Sequence, residues 1–108
     1  MNAAEMTSLD IVEAIGRVAA VEQCAEEAAE LAAACSKFAR KMRLQNPTPA
    51  GKREVIANVQ NEAADVATCL GVLIDAGIID QGSIKRIADA KLARWKQRIA
   101  GSFNGGER

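Results

Sequence analysis

CAEEAAELAAACSKFARKMR, residues 24–43, decides how this chain folds. Alanine, leucine, glutamate, lysine and arginine are the strongest helix formers. The stretch has no proline, no glycine and none of the alternation of a strand. It predicts a helix over about Val18 to Arg43. It also carries Glu26, Glu27 and Glu30 between two cysteines, a cluster that an alanine-rich helix does not need for its own stability.

Working outward, LQNPTPAGK (44–52) holds the only two prolines of the chain, Pro47 and Pro49, and ends this helix. Thr48 is the expected cap of the next helix, with Pro49 at its first position. That helix runs to about Asp75, where AGIID (76–80) breaks it. Asp80 caps a last helix reaching about Ala100, and GSFNGGER (101–108) is expected to fray. Upstream, a short helix follows Thr7 or Ser8 as cap and ends near Gly16, unless it continues straight into the next. The fold class is all-α. The 108 residues suffice for one domain whose four helices bury their apolar stripes as a bundle, within a chain or between chains.

Composition narrows the function. Hydrophobic residues make up 49% and charged residues 26%, with a formal net charge of zero. That balance gives no general attraction to nucleic acid or to an anionic membrane. No apolar run approaches the roughly 20 residues of a membrane span. MNAAEMTSLD lacks the basic and apolar regions of a secretion signal, so a cytoplasmic protein is expected. Cys24, Cys35 and Cys69 have no metal-ligand spacing and read as free core thiols. The chain has no histidine. Histidine general-base catalysis and histidine-ligated metals are therefore excluded, as is the Glu-x-x-His pattern of di-iron bundles. A metal here has only carboxylates and carbonyls to bind it, which favours Mg2+ or Mn2+.

Helical neighbours are three and four residues apart. In the third helix the apolar stripe reads Ile56, Val59, Val66, Leu70, Leu73. Glu62 falls within it, three after Val59 and four before Val66. Asp65 lies on the same side. In the second helix Glu27 is three after Cys24 and four before Leu31, and Glu30 is four before Ala34. Two helices thus each carry an acidic pair at i and i+3 on or beside an inward face, while Glu26 points away as a solvated companion. Like charges at this spacing repel, so lysine or arginine partners, or a cation, must compensate.

The bases are segregated. Lys37, Arg40, Lys41 and Arg43 end the second helix, where they also suit its dipole. IKRIADAKLARWKQR (84–98) holds six bases and one acid. Lys91 and Arg94 flank the stripe Ile84, Ile87, Ala88, Leu92, Trp95, Ile99, in which Trp95 is expected to be core. An acidic centre beside basic arms is what a polyphosphate carrying a divalent cation requires.

EEAAEL (26–31) followed by NEAADV (61–66) resembles the E-x-x-E … E-x-x-D signature of the MazG-like, all-α nucleoside triphosphate pyrophosphohydrolase superfamily. EEAAELAAACSKFAR, NPTP, ANVQNEAADVATCL and AKLARWKQR follow the order seen in its small single-domain, phage-type members, over about residues 20 to 100. The resemblance implies an enzyme that hydrolyses (deoxy)nucleoside triphosphates to monophosphate and pyrophosphate with Mg2+ or Mn2+. It implies Glu27, Glu30, Glu62 and Asp65 as metal ligands and Lys91 and Arg94 as phosphate contacts, joined by Lys37 and Arg98. It also implies a four-helix bundle completed by oligomerisation, as a homodimer or homotetramer. With no histidine, the catalytic base is a metal-bound hydroxide or a spare carboxylate, Glu27 or Glu30. Two positions depart from the pattern: Asn61 stands where relatives often have a glutamate, and Asp89 where they place an asparagine. The competing reading is a non-catalytic helical oligomerisation or regulatory module whose acids serve as salt-bridge partners of the basic helix. Neither nucleic acid nor membrane is an expected partner.

Overall fold

A computed structural model describes residues 1–44 and 51–105, the side chains of 104 and 105 excepted. A 3-10 turn at Ala3–Glu5 precedes four helices: α1 (Ser8–Ile15), α2 (Arg17–Arg43), α3 (Lys52–Asp75) and α4 (Gln81–Gly105). The chain is all-α, as its composition implies. Among the described residues no helix is long and apolar enough to cross a membrane. The chain divides into two compact units, Met1–Ile78 and Ile79–Arg108.

Each helix boundary has a local cause. Thr7 caps α1: its hydroxyl accepts from the Asp10 amide at 3.1 Å, and the Asp10 carboxylate accepts from the Thr7 amide at 2.9 Å. This reciprocal pair satisfies two amides that a helix start otherwise leaves open. α1 does not run on into α2, because Gly16 breaks the path at φ 93, ψ 151. Only glycine occupies that region at low cost. A Cβ at Gly16 would meet nothing within 4 Å, so any penalty for filling it is purely conformational. Gly16→Ala is expected to cost about 1–3 kcal/mol, read as a lower denaturant midpoint with an unchanged slope.

α3 begins later than the sequence implies, at Lys52 behind Gly51; Thr48 and Pro49 lie outside the described residues. It ends at AGIID as expected. Ile78 N–H donates to the Leu73 carbonyl at 2.9 Å and Gly77 N–H to the Ile74 carbonyl at 3.0 Å, with Gly77 at φ 76. This is the paired closure that lets a left-handed glycine satisfy the last carbonyls of a helix. Asp80 caps α4, its Oδ2 accepting from both the amide and the hydroxyl of Ser83 at 2.8 Å. Those bonds hold the Asp80 carboxyl below its ordinary pKa. α4 runs past the expected Ala100 to Gly105.

In the first unit α2 and α3 pack against each other along their length, and α1 lies against both. The Ser8 hydroxyl ties the start of α1 to the end of α3 by donating to Asp75 at 3.1 Å. Along α2 the residues withdrawn from solvent follow Ala20, Cys24, Glu27, Leu31, Ala34, Phe38 and Lys41, stepping by four and three in turn, with Ala39 beside them. Along α3 the same spacing picks out Val55, Val59, Glu62, Val66, Cys69 and Leu73. The spacing is that of a coiled-coil seam. Val55, not the expected Ile56, opens the α3 stripe: Val55 is 1% exposed and Ile56 is 42% exposed. The step of four back from Val59 lands on Val55, and Ile56 falls beside the seam. Val12, Ala20, Ala34, Val55 and Leu73 form the buried core.

α4 constitutes the second unit. Trp95, expected in the core, is 60% exposed. Its neighbours on the same stripe, Ile84, Ile87, Leu92 and Ile99, are exposed as well. A single helix has nothing of its own to bury such a stripe against.

Candidate metal centre

Glu27 and Glu62 occupy seam positions near the middles of α2 and α3. A seam position forces a side chain between the two helices, and carboxylates are rarely placed there unpaired. Glu27 and Glu62 are half-buried. Three residues on, Glu30 and Asp65 complete a quartet in which each side chain offers one oxygen and all four oxygens lie within 4.8 Å of one another. The four acids singled out by sequence thus come together in space.

The hydrogen bonding inside the quartet is incomplete. Glu27 Oε1 accepts from the Gln23 amide at 2.9 Å. Glu27 Oε2 and Glu62 Oε2 are buried and have no partner. Buried acceptors without partners are uncommon and costly. Among the described residues none of the four acids is in an ion pair. Burial chiefly, and then the Glu30 and Asp65 charges, push the Glu27 carboxyl above its ordinary pKa against the opposing Gln23 hydrogen bond.

Such a group suits a hard cation. The donor set is all oxygen, and two oxygens on opposite sides of a cation held at about 2.1–2.4 Å are about 4–5 Å apart. The 4.8 Å span of the quartet matches this.

The basic residues are distributed differently. Lys91, Arg94 and Arg98 border one shallow depression on α4 together with Leu92 and Trp95. Lys37 lies on α2 about 10 Å along the axis from Glu30, beside a small cleft with Glu54, Val55 and Asn58. Asp89 pairs with Lys85 of its own helix at 3.1 Å, both side chains well exposed.

Sequence reasoning missed Gln23, although its place four residues before Glu27 is the signal for that hydrogen bond. It also treated the cysteines as unrelated core thiols. Cys35 is exposed, because it sits one place past the seam residue Ala34. Cys24 and Cys69 are half-buried seam residues, one turn before Glu27 on α2 and one turn after Asp65 on α3. Burial and then Cys24 push the Cys69 thiol up, with smaller effects from Glu27 and Asp65. No family model, no curated protein and no solved structure matches the chain.

Proposed function

We propose that this chain is a Mg2+- or Mn2+-dependent nucleoside triphosphate pyrophosphohydrolase of the MazG-like kind. The observation that carries the reading is the pair of buried, partnerless oxygens, Glu27 Oε2 and Glu62 Oε2, inside a four-carboxylate cluster. Carboxylates placed in a helix seam without bases cost stability, and a cation between them offsets that cost. Glu27, Glu30, Glu62 and Asp65 hold the cation. Bound there, it supplies an acidified water and a polarised phosphoryl oxygen. The base is a metal-bound hydroxide or whichever of Glu27 and Glu30 the cation leaves free. Lys91, Arg94 and Arg98, grouped on one side of α4, offer the charges for a triphosphate, with Lys37 as a fourth contact.

The exposed stripe of α4 supports a homo-oligomer, dimer or tetramer. The unit that α4 forms has nothing of its own to cover the stripe. Within Met1–Ile78, among the described residues, no base pairs with any of the four acids.

The test is pyrophosphate release from a panel of canonical and modified (deoxy)nucleoside triphosphates, with Mg2+ and with EDTA. Release with monophosphate as co-product, abolished by EDTA, is the expected result. A folded protein that releases pyrophosphate from none of them removes the catalytic reading.

A further inference from the structure

The seam that carries the acidic quartet also carries two thiols. Cys24 sits one turn before Glu27 on α2, and Cys69 one turn after Asp65 on α3. The register that gathers Glu27 and Glu30 of α2 with Glu62 and Asp65 of α3 sets Cys24 across the seam from Cys69. Both are free and half-buried, so a small solute can reach them. The third cysteine, Cys35, is exposed and faces away.

We propose that Cys24 and Cys69 are the two halves of a reversible disulfide that latches α2 to α3 beside the carboxylate quartet. Three features of the hairpin carry this. A disulfide requires Cα atoms within about 7 Å, and α2 meets α3 through Ala20 and Ala34, both buried, which lets the backbones approach closely. The two thiols occupy facing positions of one seam, so closure joins side chains that line the same interface. Residues 24 and 69 also enclose the loop between α2 and α3, so the bond removes conformational freedom from the unfolded chain.

The chemistry is thiol–disulfide exchange with a low-molecular-weight disulfide, RSSR, of the glutathione class. One protein thiolate attacks a sulfur of RSSR, a protein–SR bond forms, and one RSH leaves with the proton. The second protein thiolate attacks the protein sulfur of that mixed disulfide. The Cys24–Cys69 bond forms and the second RSH leaves. The two protein thiols lose two electrons and two protons, and RSSR becomes two RSH. The second step is intramolecular. With an effective concentration of millimolar or more, the bridge is favoured over a simple adduct wherever free RSH is more dilute than that.

Wild-type protein equilibrated in graded oxidised and reduced glutathione, then quenched and mapped by mass spectrometry, tests this. Cys35 serves as the internal reference. The expected result is a Cys24 peptide joined to a Cys69 peptide within one chain, at a glutathione balance where less than a tenth of Cys35 carries an adduct. After equilibration with oxidised glutathione, the Cys35→Ala protein should lose two hydrogens in intact mass and gain no glutathione mass. Its melting temperature should rise on oxidation and return with dithiothreitol. A second background, Cys24→Ser with Cys35→Ala, should instead hold a stable glutathione adduct on Cys69. Folded protein in which Cys24 and Cys69 stay reduced, or carry glutathione no more selectively than Cys35, or link only between chains, overturns the proposal.

Discussion

Replacing Glu62 with glutamine is expected to stabilise the cation-free protein and to abolish the proposed hydrolytic activity. The two effects have one origin. Glu62 occupies a seam position with a buried, partnerless Oε2, three residues before Asp65 and within the same 4.8 Å cluster as Glu27 and Glu30. An amide keeps the shape, removes one of four like charges and can donate a hydrogen bond to a neighbouring carboxylate. Each like-charge neighbour on a helix costs about 0.2–0.5 kcal/mol. A domain of this size moves by about 4–8 °C per kcal/mol, so the melting temperature should rise by a few degrees. Catalysis moves the other way. Losing a few kcal/mol of charge stabilisation at a metal-assisted step lowers the rate by at least about a hundredfold. Thermal melts in EDTA and pyrophosphate release in Mg2+, run on the same preparation, check both signs. A variant less stable than wild type in EDTA would mean that Glu62 has a stabilising partner in the protein.

Adding Mg2+ or Mn2+ should raise the wild-type melting temperature, and EDTA should reverse the rise. A ligand that binds only the folded state stabilises it by about 2.7 kcal/mol at a hundred times its Kd. The effect has a defined pH dependence through Glu27. Its folded-state pKa lies above the ordinary glutamate value of 4.5. The stability contributed by that proton is therefore fully present below 4.5 and is lost as pH rises through the raised folded value. Cation-free protein should gain stability from this group as pH falls from neutral toward 4.5, while the gain from added cation shrinks, because proton and cation compete for one carboxylate. Asp80 acts separately and with the opposite sign. Its folded-state pKa is lowered from 3.8, so its contribution to the start of α4 is present above that value and lost as pH falls below it. Melting curves at several pH values, with and without Mn2+, measure both. A cation effect unchanged between neutral pH and 4.5 would exclude Glu27 as a ligand.

Much of the fold could be read from local rules, because each boundary has a local chemical cause. Thr7, Asp80 and the Gly77 closure of α3 follow from residue type at one position. The break at Gly16 was harder to read, since a glycine between two helical patterns is compatible with both a kink and a stop. Val59, Val66 and Leu73 of the expected α3 stripe face inward, but Val55 and Cys69 take the places expected for Ile56 and Leu70, which are exposed. Val55 and Ile56 are both apolar and adjacent, and only packing against α2 chooses between them. The acidic quartet was legible because i, i+3 spacing fixes each pair on its own helix and the seam aligns the two helices. What that spacing cannot give is which thiols meet. Cys24 and Cys69 are paired by the antiparallel register of α2 against α3, a long-range property, and Cys35 is excluded by one step around the helix. The burial of Trp95 depends on what covers the α4 stripe, which periodicity alone does not specify.

The central claim is that the carboxylate seam holds a divalent cation, and Mn2+ binding read by electron paramagnetic resonance tests it most directly. Wild-type protein near neutral pH should remove free Mn2+ signal with saturable stoichiometry, Mg2+ should compete, and Glu62→Gln should bind at least about tenfold more weakly. Folded wild-type protein that leaves the free Mn2+ signal untouched, or a Glu62→Gln variant that binds as tightly as wild type, would contradict the account.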